Sequence, residues 1–315
     1  MIYLTGLLIL ALTFVNGWTD APNSIATAVT TRALSPRTAV MLCAVCNLLG
    51  LLLGVWLAPA LLDTVVDLAV GLNAREAACA TASAMTACVL WAIVAWYFGI
   101  PTSESHGMLA GAVGGCAVFV GADALHSAAA RLALLGLFLA LGMGAVFGHV
   151  LNRAIHSVCR PLPRARAMRS IRRLQRLGAV ASACLHGAQD GQKFLGMLVL
   201  CGCCRVPALA VLPIALLLTG GTALGGFRII KRVGELVPLT PAQGLAAEGG
   251  SVITLLLATL LGIPVSTTHT KTAATVGASG RRRMRIGSAL AMGVAWIATF
   301  PICGLLSYLL ALCLA

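Results

Sequence analysis

The octapeptide Gly99-Ile100-Pro101-Thr102-Ser103-Glu104-Ser105-His106 returns as Gly262-Ile263-Pro264-Val265-Ser266-Thr267-Thr268-His269. Five of the eight positions are identical, and the copies start 163 residues apart in a chain of 315. Each copy closes an apolar run with Gly and Pro, which interrupt a helix, and follows them with hydroxyls and a histidine. A duplicated, hydroxyl-rich interruption inside an apolar chain is how membrane transporters build a binding site near the bilayer midplane.

Composition places those interruptions in lipid. Apolar residues make up 59% of the chain and charged residues 10%, against about 25% charged in a soluble domain. The surface therefore faces a lipid bilayer. At roughly 20 residues per span, the chain holds about ten segments. The first five cover about 2–29, 38–61, 78–98, 107–121 and 132–152. The second five cover about 178–203, 207–226, 244–261, 270–280 and 286–314. The N-terminal run has no basic leading stretch and continues apolar, so it reads as a first span and not as a cleaved leader. The expected fold is all-α: a polytopic membrane protein of two inverted-topology repeats, about five spans each, with discontinuous helices or re-entrant hairpins. Residues 1–152 form the first repeat, 153–176 a basic cytoplasmic linker and 177–315 the second repeat. The linker carries eight arginines and no acid, and reads as an amphipathic surface helix or a solvated loop.

The net charge of +13 would suggest nucleic acid in a soluble protein. Here it lies in loops without interleaved aromatics, so it argues for membrane orientation and anionic lipid, with no nucleic-acid partner. Arg32, Arg37, the linker arginines, Arg228, Lys231, Arg232 and Arg281, Arg282, Arg283 and Arg285 follow odd-numbered segments. Only Arg75, Arg131 and Arg205 follow even-numbered ones. The positive-inside rule puts the first set in the cytoplasm and both termini outside, in a cell (inner or plasma) membrane. Five spans per half then turn the second repeat upside down, which suits alternating access. The twelve cysteines, Cys43, Cys46, Cys201, Cys203 and Cys204 among them, lack companion ligands and read as small apolar residues.

Of nine acidic residues, four fall inside apolar segments: Asp20, Glu104, Asp190 and Glu248. A charge at the bilayer centre costs about 2.5–3.5 kcal/mol on insertion scales, so these four need cationic partners. Asp20 lies in Asn16-Gly17-Trp18-Thr19-Asp20-Ala21-Pro22-Asn23, and Asp190 in His186-Gly187-Ala188-Gln189-Asp190-Gly191-Gln192-Lys193. A nearby amide, and a Gly or Pro able to loosen the helix and free carbonyls, would make each a hard-cation site. The cation-binding set is Asp20, Asn23, Glu104, Gln189, Asp190 and Gln192, with Na+ at Asp20 and Asp190. Asn16 and Gln243 read instead as hydrogen bonders that hold helices together.

The octapeptides offer anion chemistry. Pro101 and Pro264 suit the first turn of a helix, and Ser103, Ser105, Ser266, Thr267 and Thr268 place hydroxyls beside its free N–H groups, a cradle for an oxyanion. His106 and His269 read as helix-packing hydrogen bonders. With Lys193 and Glu248 they complete the candidate site in a secondary role. Moving one negative charge into a negative-inside cell costs about 2.3 kcal/mol per 100 mV. Two accompanying cations per monoanion would make inward movement downhill.

On the Asp20 segment through Thr31-Arg32-Ala33-Leu34-Ser35-Pro36, both octapeptides, the His186–Lys193 stretch and Gly244 to Gly277, the chain resembles the inorganic phosphate transporter (PiT) family over nearly its whole length. The resemblance implies sodium- or proton-coupled uptake of inorganic phosphate, inverted repeats and outward-facing termini. Its first signature, an Asp followed three residues later by Asn, is matched by Asp20 and Asn23. Its second commonly reads Asn-Asp-x-Gln: Gln189 replaces that Asn, while Asp190, Gln192 and Lys193 agree. Thr19 stands where many members carry Asn or His. Na+ or H+ is a co-transported ion here, and no cofactor is expected. Some relatives carry sulfate, which makes symport of another tetrahedral oxyanion the nearest alternative. The oligomeric state is open, a homodimer included.

Two other classes compete. A passive anion channel would conduct without a cation gradient. An intramembrane hydrolase could use Ser279 in Gly277-Ala278-Ser279-Gly280, but the motif abuts Arg281–Arg283 at a helix end, where Gly280 is a natural cap. No enzymatic activity is expected.

Overall fold

The computed structural model describes residues 2–67, 71–98, 100, 102–203, 207–236, 238–280 and 286–315. These form helices, with no strand among them. In chain order they are α1 (Ile2–Thr19), α2 (Ala21–Thr30), α3 (Pro36–Leu57), α4 (Ala60–Val66), α5 (Ala74–Tyr97), α6 (Glu104–Val120) and α7 (Asp123–His126). Then follow α8 (Ala128–Cys159), α9 (Arg164–Leu200), α10 (Pro207–Ala223), α11 (Phe227–Leu236), α12 (Pro241–Leu260), α13 (Thr267–Ser279) and α14 (Ile286–Leu314). Six stretches among the described residues are long and apolar enough to cross a membrane: Ile2–Thr30, Pro36–Leu57, Ala74–Tyr97, Ala130–Cys159, Pro241–Leu260 and Leu290–Leu314. α13, with 13 residues, is about 20 Å long at 1.5 Å per residue, too short for a hydrocarbon core of about 30 Å.

The helix starts follow from local sequence. The Ser35 hydroxyl accepts the Thr38 N–H at the head of α3, and Asn73–Glu76 and Thr240–Gln243 close reciprocal capping boxes on α5 and α12. Gln243 thus caps its own helix, where the sequence reading has it bonding between helices. The basic stretch 153–176 extends both flanking helices and turns between Cys159 and Arg164. Its Ala167, Ile171 and Gln175 are buried, and the Arg176 guanidinium donates to the Ala33 carbonyl at 2.8 Å.

The exterior is greasy, and the interior buries charged and polar side chains beside apolar clusters. Leu7, Trp56, Phe138 and Ile297 are exposed, whereas Asp20, Glu104, Asp190 and Glu248 are buried to 3% exposure or less. Cys43, Cys46, Cys79, Cys88, Cys116, Cys201 and Cys303 are free buried thiols; Cys204 lies outside the described residues. α3 and α9 cross at very close range. A Cβ on Gly50 would stand 1.9 Å from the Cys184 carbonyl oxygen, and one on Gly187 would stand 2.2 Å from that of Asn47. Only glycine permits that approach.

The packing of one half maps onto that of the other. α1 lies on α10 and α5, and α9 on α3 and α12. The α5–α6 hairpin is flanked by α14, and the α12–α13 hairpin by α8. α4 packs on α9, and α11 on α2. Exchanging α1 and α2 together for α9, α3 for α10, α4 for α11, α5 for α12, α6 for α13 and α8 for α14 returns the same set of pairs. Each half's last long helix therefore clasps the hairpin of the other half.

Candidate anion and cation site

Four elements deliver the site: the α1–α2 break, the N-terminus of α6, the middle of α9 and the N-terminus of α13. The break falls at Asp20, where Pro22 cannot donate a backbone hydrogen bond. Asp20 still donates its own N–H to the Asn16 carbonyl at 2.8 Å, so the kink is shallow. α6 and α13 begin inside the protein. Ser103 and Ser266 are their N-caps, accepting the N–H groups of His106 and His269 at 3.2 Å each.

Side chains from all four elements then interlock. The Lys193 ammonium donates to Asp190 Oδ1 at 2.9 Å, to Ser105 Oγ at 2.9 Å and to the Val265 carbonyl at 2.6 Å. Ser105 Oγ donates to the same Asp190 oxygen at 3.0 Å. Lys193 thus touches both octapeptides at once. On the other carboxylate oxygen, Asn16 Nδ2 lies at 3.3 Å and His186 Nε2 at 3.3 Å. Asn16 Nδ2 also reaches Glu104 Oε2 at 3.4 Å, and Thr19 Oγ1 donates to Glu104 Oε1 at 2.6 Å. Across the cluster, Thr268 donates to Asp20 Oδ1, and Asn23 Nδ2 donates to Asp20 Oδ1 and to Thr268 Oγ1, both at 2.9 Å.

What these bonds leave over is chemically specific. Asp20 Oδ2, Asn16 Oδ1 and Asn23 Oδ1 are buried oxygens without a hydrogen-bond partner among the described residues. Unpaired buried acceptors are expensive, and three oxygens in one cluster are what a hard cation takes. Ligand atoms of Asp20, His186 and Asp190 lie within 4.8 Å of one another, a spacing that admits a single ion. The Thr267 hydroxyl is buried and unpartnered as well. Thr19, Trp96, Ile100, Thr102 and Glu104 line a narrow crevice with no room for a water molecule.

Several sequence expectations change here. α9 runs unbroken through His186–Lys193, so no loosened helix frees carbonyls at Asp190. Gly187 serves close packing on α3 instead, and the carbonyl in reach comes from Val265. Pro264 precedes the Ser266 cap and stands outside the first turn of α13, because the hydroxyl and not the proline starts that helix; Pro101 lies outside the described residues. Ser103 and Ser266 spend their hydroxyls on capping. His106 is not a hydrogen bonder: both its ring nitrogens are unpartnered among the described residues, and its ring packs edge-on to that of His269 with centroids 4.8 Å apart. His269 does bond, to Ser266 Oγ at 2.6 Å. Gln189 turns toward Thr259 at 2.9 Å, and Gln192 lies against Gly54 of α3 with both amide atoms unpartnered among the described residues. Glu248 sits apart, in an ion pair with Lys271. Ser279 donates to the Val276 carbonyl at 3.1 Å, an ordinary helix-end bond.

The cluster therefore unites Asp20, Asn23, Glu104, Ser105, Asp190, Lys193 and Thr268. It adds three residues the sequence reading passed over. Asn16 bonds between helices as expected, but to two carboxylates. Thr19 was noted only as a departure from the family pattern, and His186 lies one helical turn before Asp190, the spacing that lets the pair meet.

A model of the phosphate transporter family matches residues 16–307. A probable low-affinity inorganic phosphate transporter of Rhizobium meliloti (strain 1021) is 35% identical, over 97% of this chain and 95% of its own. A protein of the same description from Bacillus subtilis (strain 168) is 28% identical, over 93% of this chain and 91% of its own. The solved structure of "the sodium-dependent phosphate transporter" matches 99% of this chain and 98% of its own, with a TM-score of 0.87 at 21% identity, and so shares the fold. Family model, relatives and fold agree: this chain is a membrane protein that belongs to the phosphate transporter family, whose members named here are transporters and not enzymes.

Proposed function

We propose that the chain imports inorganic phosphate together with a monovalent cation, Na+ or H+, by alternating access. The observation that carries this reading is the Lys193 ammonium, bonded to Ser105 of the first octapeptide and to Val265 of the second. It ties two helix N-termini into one site that brings together N–H groups, hydroxyls and a cation, the donors a tetrahedral oxyanion needs. The adjoining acceptors Asp20, Asn16 and Asn23 suit the cation, with Asp190 and Glu104 as further carboxylates. The names of the relatives support phosphate, and the name of the structural neighbour supports sodium.

Two repeats, 1–152 and 177–315, joined through the arginine-rich 153–176 stretch on the cytoplasmic side, would present this site alternately to each face, with both termini outside. Exchange of the packing pairs between halves supports that division. The test is radiolabelled phosphate uptake into proteoliposomes with sodium and pH gradients imposed separately. Accumulation driven by one of them, with sulfate competing weakly, is the expected result. Equilibration that ignores both gradients would make the protein a passive anion pathway.

A further inference from the structure

The seam between α6, α8 and α14 leaves a cavity of about 350 Å³. Leu109, Val113, Leu134, Phe300 and Leu305 line it, and Tyr308 is the one wall residue among the described ones with a polar side-chain atom. The cavity exists because α6 packs unequally on its neighbours. Gly114 brings α6 hard onto α14: a Cβ there would stand 2.1 Å from the Gly304 carbonyl oxygen. α8 packs instead along α13 and touches α6 only lightly. The gap therefore opens where the α5–α6 hairpin, clasped by α14, meets the α12–α13 hairpin, clasped by α8.

Its chemistry admits a hydrocarbon. Leu125, Leu134, Leu305 and Tyr308 of the wall are exposed, and α8 and α14 carry membrane-spanning stretches, so the open side of the groove faces lipid. A polar solute would forfeit its hydrogen bonds against such walls, and an apolar cavity stays dry. The volume falls in the range of ligand pockets, about 300–1,000 Å³.

The dimensions match an acyl chain of one leaflet. The inner end lies at the depth of the octapeptides, for the Phe300 ring is 5.3 Å from that of His106. From Phe300 to Tyr308 the groove follows α14 for about 12 Å at 1.5 Å per residue, against about 15 Å for half the hydrocarbon core. At the outer end stands a charge. Arg131, in the first turn of α8, is exposed and follows Ala130 of the wall. It donates to the His126 carbonyl at 2.7 Å, which ties the guanidinium to the end of α7, whose Leu125 also lines the groove. A guanidinium at that level matches a phosphodiester in charge and in geometry.

We infer that this groove is a phospholipid site: one acyl chain fills the gap between α6, α8 and α14, and Arg131 holds the phosphodiester of the same lipid. The chain supplies the contact that α6 and α8 do not make with each other, and packs on Phe300 behind His106. The site is separate from the central one and does not depend on which solute or ion is carried.

The test uses Gly304. A Cβ there meets the Ala110 carbonyl oxygen at 3.5 Å, an ordinary contact, and no other atom among the described residues. Gly304→Leu therefore suits the helix and puts a side chain where the acyl chain would lie. Protein in detergent is titrated with dioleoylphosphatidylglycerol and read by native mass spectrometry, which counts bound lipids and gives the mass of any oligomer; thermal unfolding verifies that each variant is folded. The wild type should hold one lipid more tightly than all others. Gly304→Leu should weaken that first lipid at least tenfold. Arg131→Gln, a change at an exposed position, should weaken it about fivefold, the contribution of one basic residue at a lipid headgroup. Unchanged affinity for the first lipid in either folded variant would overturn the site. A wild-type dimer that Gly304→Leu converts to monomer with its lipid retained would make the groove a contact between two copies of the chain, and would overturn it as well.

Discussion

Replacing Lys193 by Met strips the site of the one ammonium that bridges its two halves. Three hydrogen bonds go: 2.9 Å to Asp190, 2.9 Å to Ser105 and 2.6 Å to the Val265 carbonyl. A hydrogen bond made by a charged group contributes about 1.5–3 kcal/mol. The Asp190 and Val265 bonds have no substitute donor of that charge, since Ser105, Asn16 and His186 remain on the carboxylate as weaker partners. Taking the lower end for each gives about 3 kcal/mol, and at 1.4 kcal/mol per decade that is roughly 100-fold. The loss should fall on phosphate recognition, because Lys193 holds Ser105 and Val265 in register before substrate arrives. Without it, part of the binding free energy goes into assembling the site. The assay is the phosphate KM in proteoliposomes, paired with thermal unfolding in detergent to separate misfolding from mispositioning. Lys193→Met should raise KM by about two orders of magnitude in a protein that still inserts and runs monodisperse. A KM within twofold of wild type at full turnover would refute the bridging role.

Three further outcomes follow from the same geometry. Asp20→Asn should abolish gradient-driven accumulation, because the cation loses its carboxylate, and normal accumulation in a correctly inserted variant would remove Asp20 from the ion's path. Ser103→Ala with Ser266→Ala removes two N-caps at about 1 kcal/mol each; phosphate KM should rise while the cation dependence is preserved, and an unchanged KM would separate those helix starts from the substrate. Gly187→Ala drives a Cβ to 2.2 Å from the Asn47 carbonyl oxygen, so the α3–α9 crossing must open; unfolding should come at distinctly lower temperature, and an unaltered melt would mean that the two helices separate freely.

The all-helical membrane architecture was legible because lipid demands long apolar runs, and the ten segments read from the sequence coincide with long helices or with the hairpin helices α6 and α13. The octapeptides announced their own meeting place by identical residues at matched positions, and the His106–His269 contact and the shared Lys193 bring the two copies together. Other features depend on three-dimensional proximity, which periodicity does not encode. Nothing near Lys193 in the sequence says that its ammonium crosses to Val265, more than seventy residues away. Gly187 looks like a helix breaker in sequence and acts as a spacer, because its role is set by α3 and not by its neighbours. Asn16 resembles any inter-helix amide until α6 and α9 bring two carboxylates to it. The Glu248–Lys271 pair was half visible, as a lone acid and a lone base on segments with no reason to be paired until α12 and α13 fold as a hairpin.

A structure of the protein in a lipid nanodisc with saturating phosphate would test the convergence of the two octapeptides most directly. The account predicts tetrahedral density between the N-termini of α6 and α13, within hydrogen-bonding distance of Lys193 and of hydroxyls from both motifs. Phosphate bound to one motif alone, or at a site remote from both, would contradict it.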